Sequence, residues 1–295
     1  MSGAGTTHRV AARGIDTAYL EAGDRDAPPV VLVHDGGFGS DAELSFGPLV
    51  EELAQAHWVL APDLLGHGAT EKVYFFDRSA QAQRIEHVGW FCDAVLGKRA
   101  VHFVGCSFGG SMVIHAAVAT GGPAWTMASG VSISGTAGLY KIEQRHEWLR
   151  EFEATPEWAR ALMALLVEDV TKHEAAVQRR YQNTRAAGHW EALSAPRLRG
   201  PATPIASPQF DVLAALSRCE TPLLFIEATD DPLVQRGWSS ALAGAAANGT
   251  RRQVPGRHCP HLDHPALVAE VIRSFHGSLV DRPSTIETAA PSDSR

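Results

Sequence analysis

The sequence predicts an α/β fold, a mostly parallel, doubly wound sheet with helices on both faces. Three observations carry this expectation. Short, β-prone apolar runs alternate with longer amphipathic stretches through most of the chain. The runs lack polar/apolar alternation, as strands do when both faces of a parallel sheet are covered. At 295 residues, the chain is also long enough for one large domain or one domain carrying an insertion.

Taken in order, residues 9–21 are expected to form an antiparallel hairpin turning near Arg13-Gly14. Buried strands are expected at 29–33, 58–61, 100–104, 130–134 and 222–226, with helices at 46–55, 79–96, 107–119 and 265–275. Alternation of this kind builds a doubly wound sheet. It breaks over residues 136–216, where helices are expected at 142–152, 157–167 and 174–186. A turn-rich stretch with Pro196, Gly200, Pro201, Pro204 and Pro208 follows. About 80 residues is too long for a single crossover. A helical cap at 136–216 is therefore expected between two core segments, 1–135 and 217–280. The tail 281–295, rich in Ser, Thr, Pro and charge, is expected to be disordered.

Composition narrows the partners. The chain is 45% hydrophobic and 20% charged, as globular proteins are, and its net charge of −7 is spread over interspersed residues. No Lys/Arg block is present to track a phosphate backbone, so nucleic acid is not an expected partner. The apolar runs fall well short of the roughly 20 residues needed to span a bilayer, so no membrane partner is expected. The start Met1-Ser-Gly-Ala-Gly-Thr-Thr7 has neither the basic region nor the apolar run of a secretory signal. The four cysteines, Cys92, Cys106, Cys219 and Cys259, form no CxxC pair, which fits reduced thiols in a cytoplasmic protein. A homodimer is expected only on the general commonness of two-fold assemblies.

The segment that carries chemistry is Val101-His-Phe-Val-Gly105-Cys106-Ser107-Phe108-Gly109-Gly110, which matches G-x-S-x-G between an expected strand and an expected helix. In that context a tight, strained turn exposes the serine, and small residues on either side let strand and helix approach. The free N–H groups of the new helix then face a developing oxyanion. Cys106 is the rival nucleophile, but Val104 and Phe108 stand two residues to either side of it. The turn therefore selects Ser107, and Cys106 is expected to line the pocket.

Serine at its normal pKa needs a base within hydrogen-bond reach. Among 14 histidines, His258 stands in a loop late in the chain, Val254-Pro-Gly-Arg-His258-Cys259-Pro-His261-Leu-Asp263-His264-Pro265. His261 competes as base. His261, Asp263 and His264 together could suggest a metal cluster, but they lack the usual helical or Cys-rich ligand spacing, so no metal is expected. The acid that would fix the imidazole tautomer should follow the strand at 222–226. Asp231 is favoured there, with Asp230 second. A second oxyanion donor, besides the N–H of Phe108, is expected from Gly36 or Gly37 in His34-Asp35-Gly36-Gly37-Phe38-Gly39. This glycine loop lacks the Gly-Lys-Ser/Thr of a phosphate loop and any G-x-G-x-x-G, and no cofactor is expected.

These motifs, in this order, resemble the α/β-hydrolase superfamily over about residues 9–278, including Asp63-Leu-Leu-Gly66-His-Gly68-Ala-Thr70. The resemblance implies the α/β-hydrolase fold with an inserted helical cap, and a Ser107–His258–Asp231 triad. Asp35 departs from the pattern, since the family usually has glycine there. Within the superfamily the chain looks most like the meta-cleavage-product hydrolases, which cut C–C bonds in vinylogous diketones. Val177-Gln-Arg-Arg180-Tyr181 resembles their helix with a carboxylate-binding arginine, implying that role for Arg180. Cys106 and Cys259 stand where those enzymes typically have asparagine and tryptophan, and with His34 they are expected to shape the substrate pocket.

The expected partner is thus a small, largely apolar carbonyl compound, cleaved at an ester, a lactone or a C–C bond. Two other classes remain open on the same fold: a ligand receptor without turnover, and a biosynthetic lyase or cyclase.

Overall fold

The computed structural model describes residues 5–122, 124–151, 153–198 and 210–280. Its centre is an eight-stranded sheet: β1 (Thr6–Ala12), β2 (Ile15–Ala22), β3 (Pro29–Val33), β4 (Trp58–Pro62), β5 (Val101–Cys106), β6 (Met127–Ile133), β7 (Leu223–Ala228) and β8 (Gly249–Val254). The spatial order is β1-β2-β4-β3-β5-β6-β7-β8; β2 runs antiparallel to both β1 and β4, and every other pairing is parallel. The hairpin turns at Arg13 and Gly14, both at positive φ (49° and 86°), the backbone that matches the twist of a two-residue loop.

The absence of alternation in the central strands has the expected cause. All five residues of β3 are buried, yet they serve two different cores. Val30 and Leu32 pack with Phe46, Leu49 and Val268, whereas Val31 and Val33 pack with Phe91, Phe103 and Met112. Covering both faces are α1 (Ala42–Leu53), α2 (Ala80–Val95) and α3 (Phe108–Ala117), with more helices later in the chain. Helix α1 begins four residues before its expected start because Asp41 caps it, accepting the N–H of Leu44 at 2.6 Å, and because Pro48 is tolerated within it.

Between β6 and β7 the chain runs through α4 (Glu143–Arg150), α5 (Pro156–Leu166), α6 (Glu174–Thr184), α7 (His189–Ser194) and α8 (Val212–Leu216). Trp158, Leu162 and Leu166 of α5 join the core on the α1 side. Helix α8 belongs elsewhere: Val212 and Leu216 pack with Phe225 and Trp238 against the sheet. The expected turn residues Gly200, Pro201, Pro204 and Pro208, and the tail 281–295, lie outside the described residues. After β7 come α9 (Trp238–Ala245), β8, α10 (Pro260–Asp263) and α11 (Pro265–Val280).

The topology decides where a site can form. The connections from β3 run to β4 on one side, and β5 takes up the other, so the strand order reverses between β3 and β5. Loops leaving the carboxyl ends of such neighbouring strands diverge and open a crevice. Val33 is level with Gly105 in the register, so the glycine loop and the serine turn leave the sheet side by side. On the far side Ala228 pairs with Val254, which brings the loops after β7 and β8 together.

Candidate active site

Ser107 sits between β5 and α3 with φ 56° and ψ −115°, a strained conformation for any residue with a Cβ. The surroundings hold it there: its N–H donates to Ile133 O (2.8 Å), and its carbonyl accepts from Ser111 N–H (2.9 Å). The flanking glycines have no room for a side chain. A Cβ on Gly105 would lie 2.3 Å from the Gly109 backbone, and one on Gly109 would lie 1.9 Å from Val33 O. The small residues expected at this turn are therefore a steric requirement of strand and helix meeting here.

The structure brings together Ser107, His258 and Asp231. His258 Nε2 lies 2.8 Å from Ser107 Oγ, and its Nδ1 lies 2.8 and 2.9 Å from the two oxygens of Asp231. Asp231 accepts only, so Nδ1 carries a proton and Nε2 offers its lone pair to the serine hydroxyl. Histidine and aspartate side chains are each 3% exposed. Burial alone would push the His258 pKa down, but the charge and hydrogen bonds of Asp231 outweigh it and hold the pKa above the ordinary histidine value. Burial likewise opposes ionisation of Asp231, and the partnership with His258 lowers its pKa in spite of that. Asp230, the neighbouring candidate, is exposed; it accepts from Thr229 Oγ1 and faces Arg236 at 3.5 Å.

The other expected base, His261, points away, with its Nε2–H donated to Ser45 O at 2.8 Å. His264 pairs with Glu168 and Asp263 with His173, so these three residues do not converge.

A cavity of about 320 Å³ opens over Ser107 and His258. The glycine loop forms one wall, and here Asp35 does unexpected work. It is buried and accepts hydrogen bonds from Gly37 N–H (2.9 Å), Ser40 Oγ (2.7 Å) and Ser45 Oγ (2.8 Å). Burial works against its charge, but Arg180 and these donors hold its carboxyl far below the usual range. Gly37 spends its N–H on Asp35, while Gly36 and Phe108 both line the cavity. Phe108 begins α3, so its N–H has no carbonyl within the helix. Gly36 packs so closely on Phe108 that a Cβ would come within 2.8 Å of its ring.

Four residues expected at the substrate lie behind the wall. Arg180 is 1% exposed, ion-paired with Asp35 at 3.3 Å and donating to Phe38 O at 3.0 Å. His34 is buried and neutral by geometry: Nδ1–H donates to Asp35 O (2.6 Å) while Nε2 accepts from Leu64 N–H (2.9 Å), pinning the loop to the segment after β4. Cys106 and Cys259 are buried with their sulfurs 3.5 Å apart, off the cavity surface. His34, Cys106 and Cys259 share one physical reason, since each side chain faces into packing while its neighbour in sequence (Asp35, Ser107 or His258) faces the cavity. Arg180 is drawn into packing by Asp35.

The wall contains residues that no motif singled out, notably Gln81, Thr136, Lys141, His146, Leu149 and Trp158. Ser134 also faces the cavity at positive φ, buried. Lys141 makes no ion pair among the described residues. Its only sequence signal was a position at the start of the helical segment.

A nucleophile elbow at a topological switch point, with a carboxylate and a histidine arriving from the loops after β7 and β8, defines a hydrolase of the α/β class. The chain matches the alpha/beta hydrolase family over residues 30–271 and belongs to it. It is 28% identical, over 90% of this chain and 89% of the relative, to 2-hydroxy-6-oxo-6-(2'-aminophenyl)hexa-2,4-dienoic acid hydrolase of Metapseudomonas resinovorans. A serine hydrolase involved in carbazole degradation superposes with a TM-score of 0.76 at 25% identity, covering 92% of this chain and 99% of that one. The enol-lactonase of Burkholderia xenovorans LB400 shares the fold, with a TM-score of 0.70 at 18% identity over 92% and 100% of the two chains. No helix among the described residues is long and apolar enough to cross a membrane.

Proposed function

We propose that this hydrolase is a serine enzyme acting on small, uncharged, largely apolar esters or lactones. The observation that carries the proposal is the continuous hydrogen-bonded line from Asp231 through His258 to Ser107 beneath a mostly apolar cavity. Ser107 attacks the carbonyl carbon as His258 takes the hydroxyl proton, and Asp231 stabilises the imidazolium that forms. The N–H groups of Phe108 and Gly36 receive the oxyanion. His258 then protonates the leaving alkoxide, and water attacks the acyl-enzyme by the same route in reverse.

The preference for an uncharged substrate rests on Arg180. A carboxylate anchor must present a guanidinium to the ligand, whereas Arg180 is buried against Asp35 of the glycine loop. A ligand carboxylate at that place would also meet the charge of Asp35.

A second reading, C–C cleavage of a dienoate, is favoured by the activity named for the Metapseudomonas relative. Lys141 is then the cation on the cavity wall that could receive the carboxylate. Turnover of a short-chain nitrophenyl ester, a lactone and a ring-cleavage dienoate by the wild type and Ser107→Ala separates the readings. Ester or lactone turnover lost by about a millionfold in Ser107→Ala, with the dienoate untouched, is the expected result. Preferential dienoate cleavage would replace it with the C–C reading. Unimpaired turnover in Ser107→Ala would sink the serine mechanism altogether.

A further inference from the structure

Directly behind the catalytic pair lies a cluster that the hydrolytic chemistry does not use. Cys106 immediately precedes Ser107, Cys259 immediately follows His258, and His261 stands one turn further on. The ligating atoms of these three side chains lie within 4.8 Å of one another, all buried. The two sulfurs are 3.5 Å apart. That is close to the edge of about 3.8 Å that a tetrahedral zinc with Zn–S bonds of about 2.3 Å imposes on two thiolates.

His261 supplies the second, independent observation. Its Nε2 sits 2.8 Å from Ser45 O, and since a carbonyl only accepts, Nε2 carries the proton. Nδ1 is therefore a bare lone pair, in a side chain with no measurable exposure, and it has no hydrogen-bond partner. Buried acceptors are almost always satisfied, so one left open on a ring that comes within 4.8 Å of two thiols calls for an occupant. The Ser45 carbonyl also does what an outer partner does in metal sites, fixing ring orientation and tautomer so that the other nitrogen is presented.

We propose that Cys106, Cys259 and His261 form a binding site for a divalent, thiophilic d10 cation, zinc or its congeners. Charge selects the divalent ion. Binding expels one proton from each thiol, and two thiolates with a neutral imidazole leave the buried unit neutral around a 2+ cation. A monovalent ion would leave a net negative charge in the apolar core formed by Phe46, Met163 and Leu166. Occupancy joins the strand that delivers the nucleophile to the loop that delivers the base, and so braces their spacing.

Cadmium is the probe, because cadmium–thiolate bonds absorb in the ultraviolet. Reduced full-length protein, equilibrated overnight with Cd²⁺, is expected to bind one equivalent per chain with a charge-transfer band and a raised denaturation temperature. Cys259→Ser abolishes the band, and His261→Asn weakens Cd²⁺ binding at least fivefold. Cys92→Ser and Cys219→Ser leave it unchanged, since those buried thiols lie in other parts of the core. Circular dichroism establishes that each variant is folded, and Cys259→Ser and His261→Asn suffice if Cys106→Ser does not fold. Absence of the band at millimolar Cd²⁺, its survival in Cys259→Ser, or less than a fivefold loss in His261→Asn overturns the proposal.

Discussion

The two sides of the cavity are built on different principles. On the sheet side, the serine turn and the two loops that meet it have no slack. The backbone at Gly105, Gly109 and Val33 is in van der Waals contact, and the register of β3 with β5 and of β7 with β8 sets which residues are level. On the helical side, α4 and α5 contribute side chains such as Leu149, Trp158 and Leu162 that fill space without meeting a fixed geometric demand. Chemistry sits where the backbone is over-determined, and substrate choice sits where it is not. The glycine loop joins the two sides, because Asp35 on the sheet side is paired with Arg180 on α6.

The sharpest way to break the sheet side is to alter its charge without altering its shape. Asp231→Asn keeps the packing but removes the carboxylate that selects the Nδ1–H tautomer of His258. A loss of about 10⁴ in kcat is expected. The pH profile gives an independent sign. The general base must be neutral, and Asp231 raises its pKa, so kcat/KM of the wild type should rise through a pKa above the ordinary histidine value. Asp231→Asn removes the largest influence opposing burial, and the acid limb should move to lower pH while the plateau falls. An acid limb that stays where it was would show that His258 is not the titrating base. Asp230→Asn, exposed beside Arg236, is the matched control and should change neither rate nor limb.

The junction is next. Arg180→Met leaves Asp35 buried with only neutral donors, and removing one partner of a buried pair typically costs about 3–5 kcal/mol. Ser40, Ser45 and Gly37 still bond the carboxylate, so a value near the lower end is expected from denaturant unfolding. The sign with pH is fixed. In the wild type the Asp35 carboxyl is depressed below its unfolded value, so its stabilisation is present above the unfolded pKa of about 3.9 and lost as pH falls further. The gap between wild type and Arg180→Met should therefore narrow in acid. A gap that persists unchanged to low pH would mean that Arg180 acts through packing alone.

How much of this was legible in the sequence follows the same division. Strand β3 was readable to the residue, because a fully buried parallel strand admits only an apolar run, and the proline at its start marks the boundary. The serine turn was readable because two glycines are forced by contact, and sterics of that kind leave a fixed spacing in the sequence. Asp231 over Asp230 was not decidable from adjacency: the choice depends on which carboxylate the turn after β7 aims at His258. Arg180, His34, Cys106 and Cys259 illustrate the limit. His34, Cys106 and Cys259 adjoin cavity-lining residues in sequence and Arg180 bonds to Asp35 and Phe38 of the wall, but whether a side chain faces ligand or core is set by helix phase and strand pleat across elements far apart in the chain. The Cys106–Cys259–His261 cluster was hidden for that reason. Its members span 155 positions, and only the register of β5 and the loop after β8 brings them together.

The smallest expected effect tests the helical side. Lys141→Gln removes a cation from the cavity wall that has no ion partner among the described residues and touches no part of the reacting line. Stability should move within about 0.5 kcal/mol, as for surface changes that break no network. For a neutral ester the charge contributes nothing to the transition state, so kcat should hold and KM should shift by less than about threefold. A carboxylate substrate would behave differently: losing a hydrogen bond to a charged partner costs about 1.5–3 kcal/mol, or roughly 10- to 150-fold in kcat/KM. The same substitution thus reads the substrate's charge from the protein's side. An unchanged ester and a crippled dienoate would place the carboxylate at Lys141, while indifference on both would leave the helical side as an apolar wall whose shape alone selects the substrate.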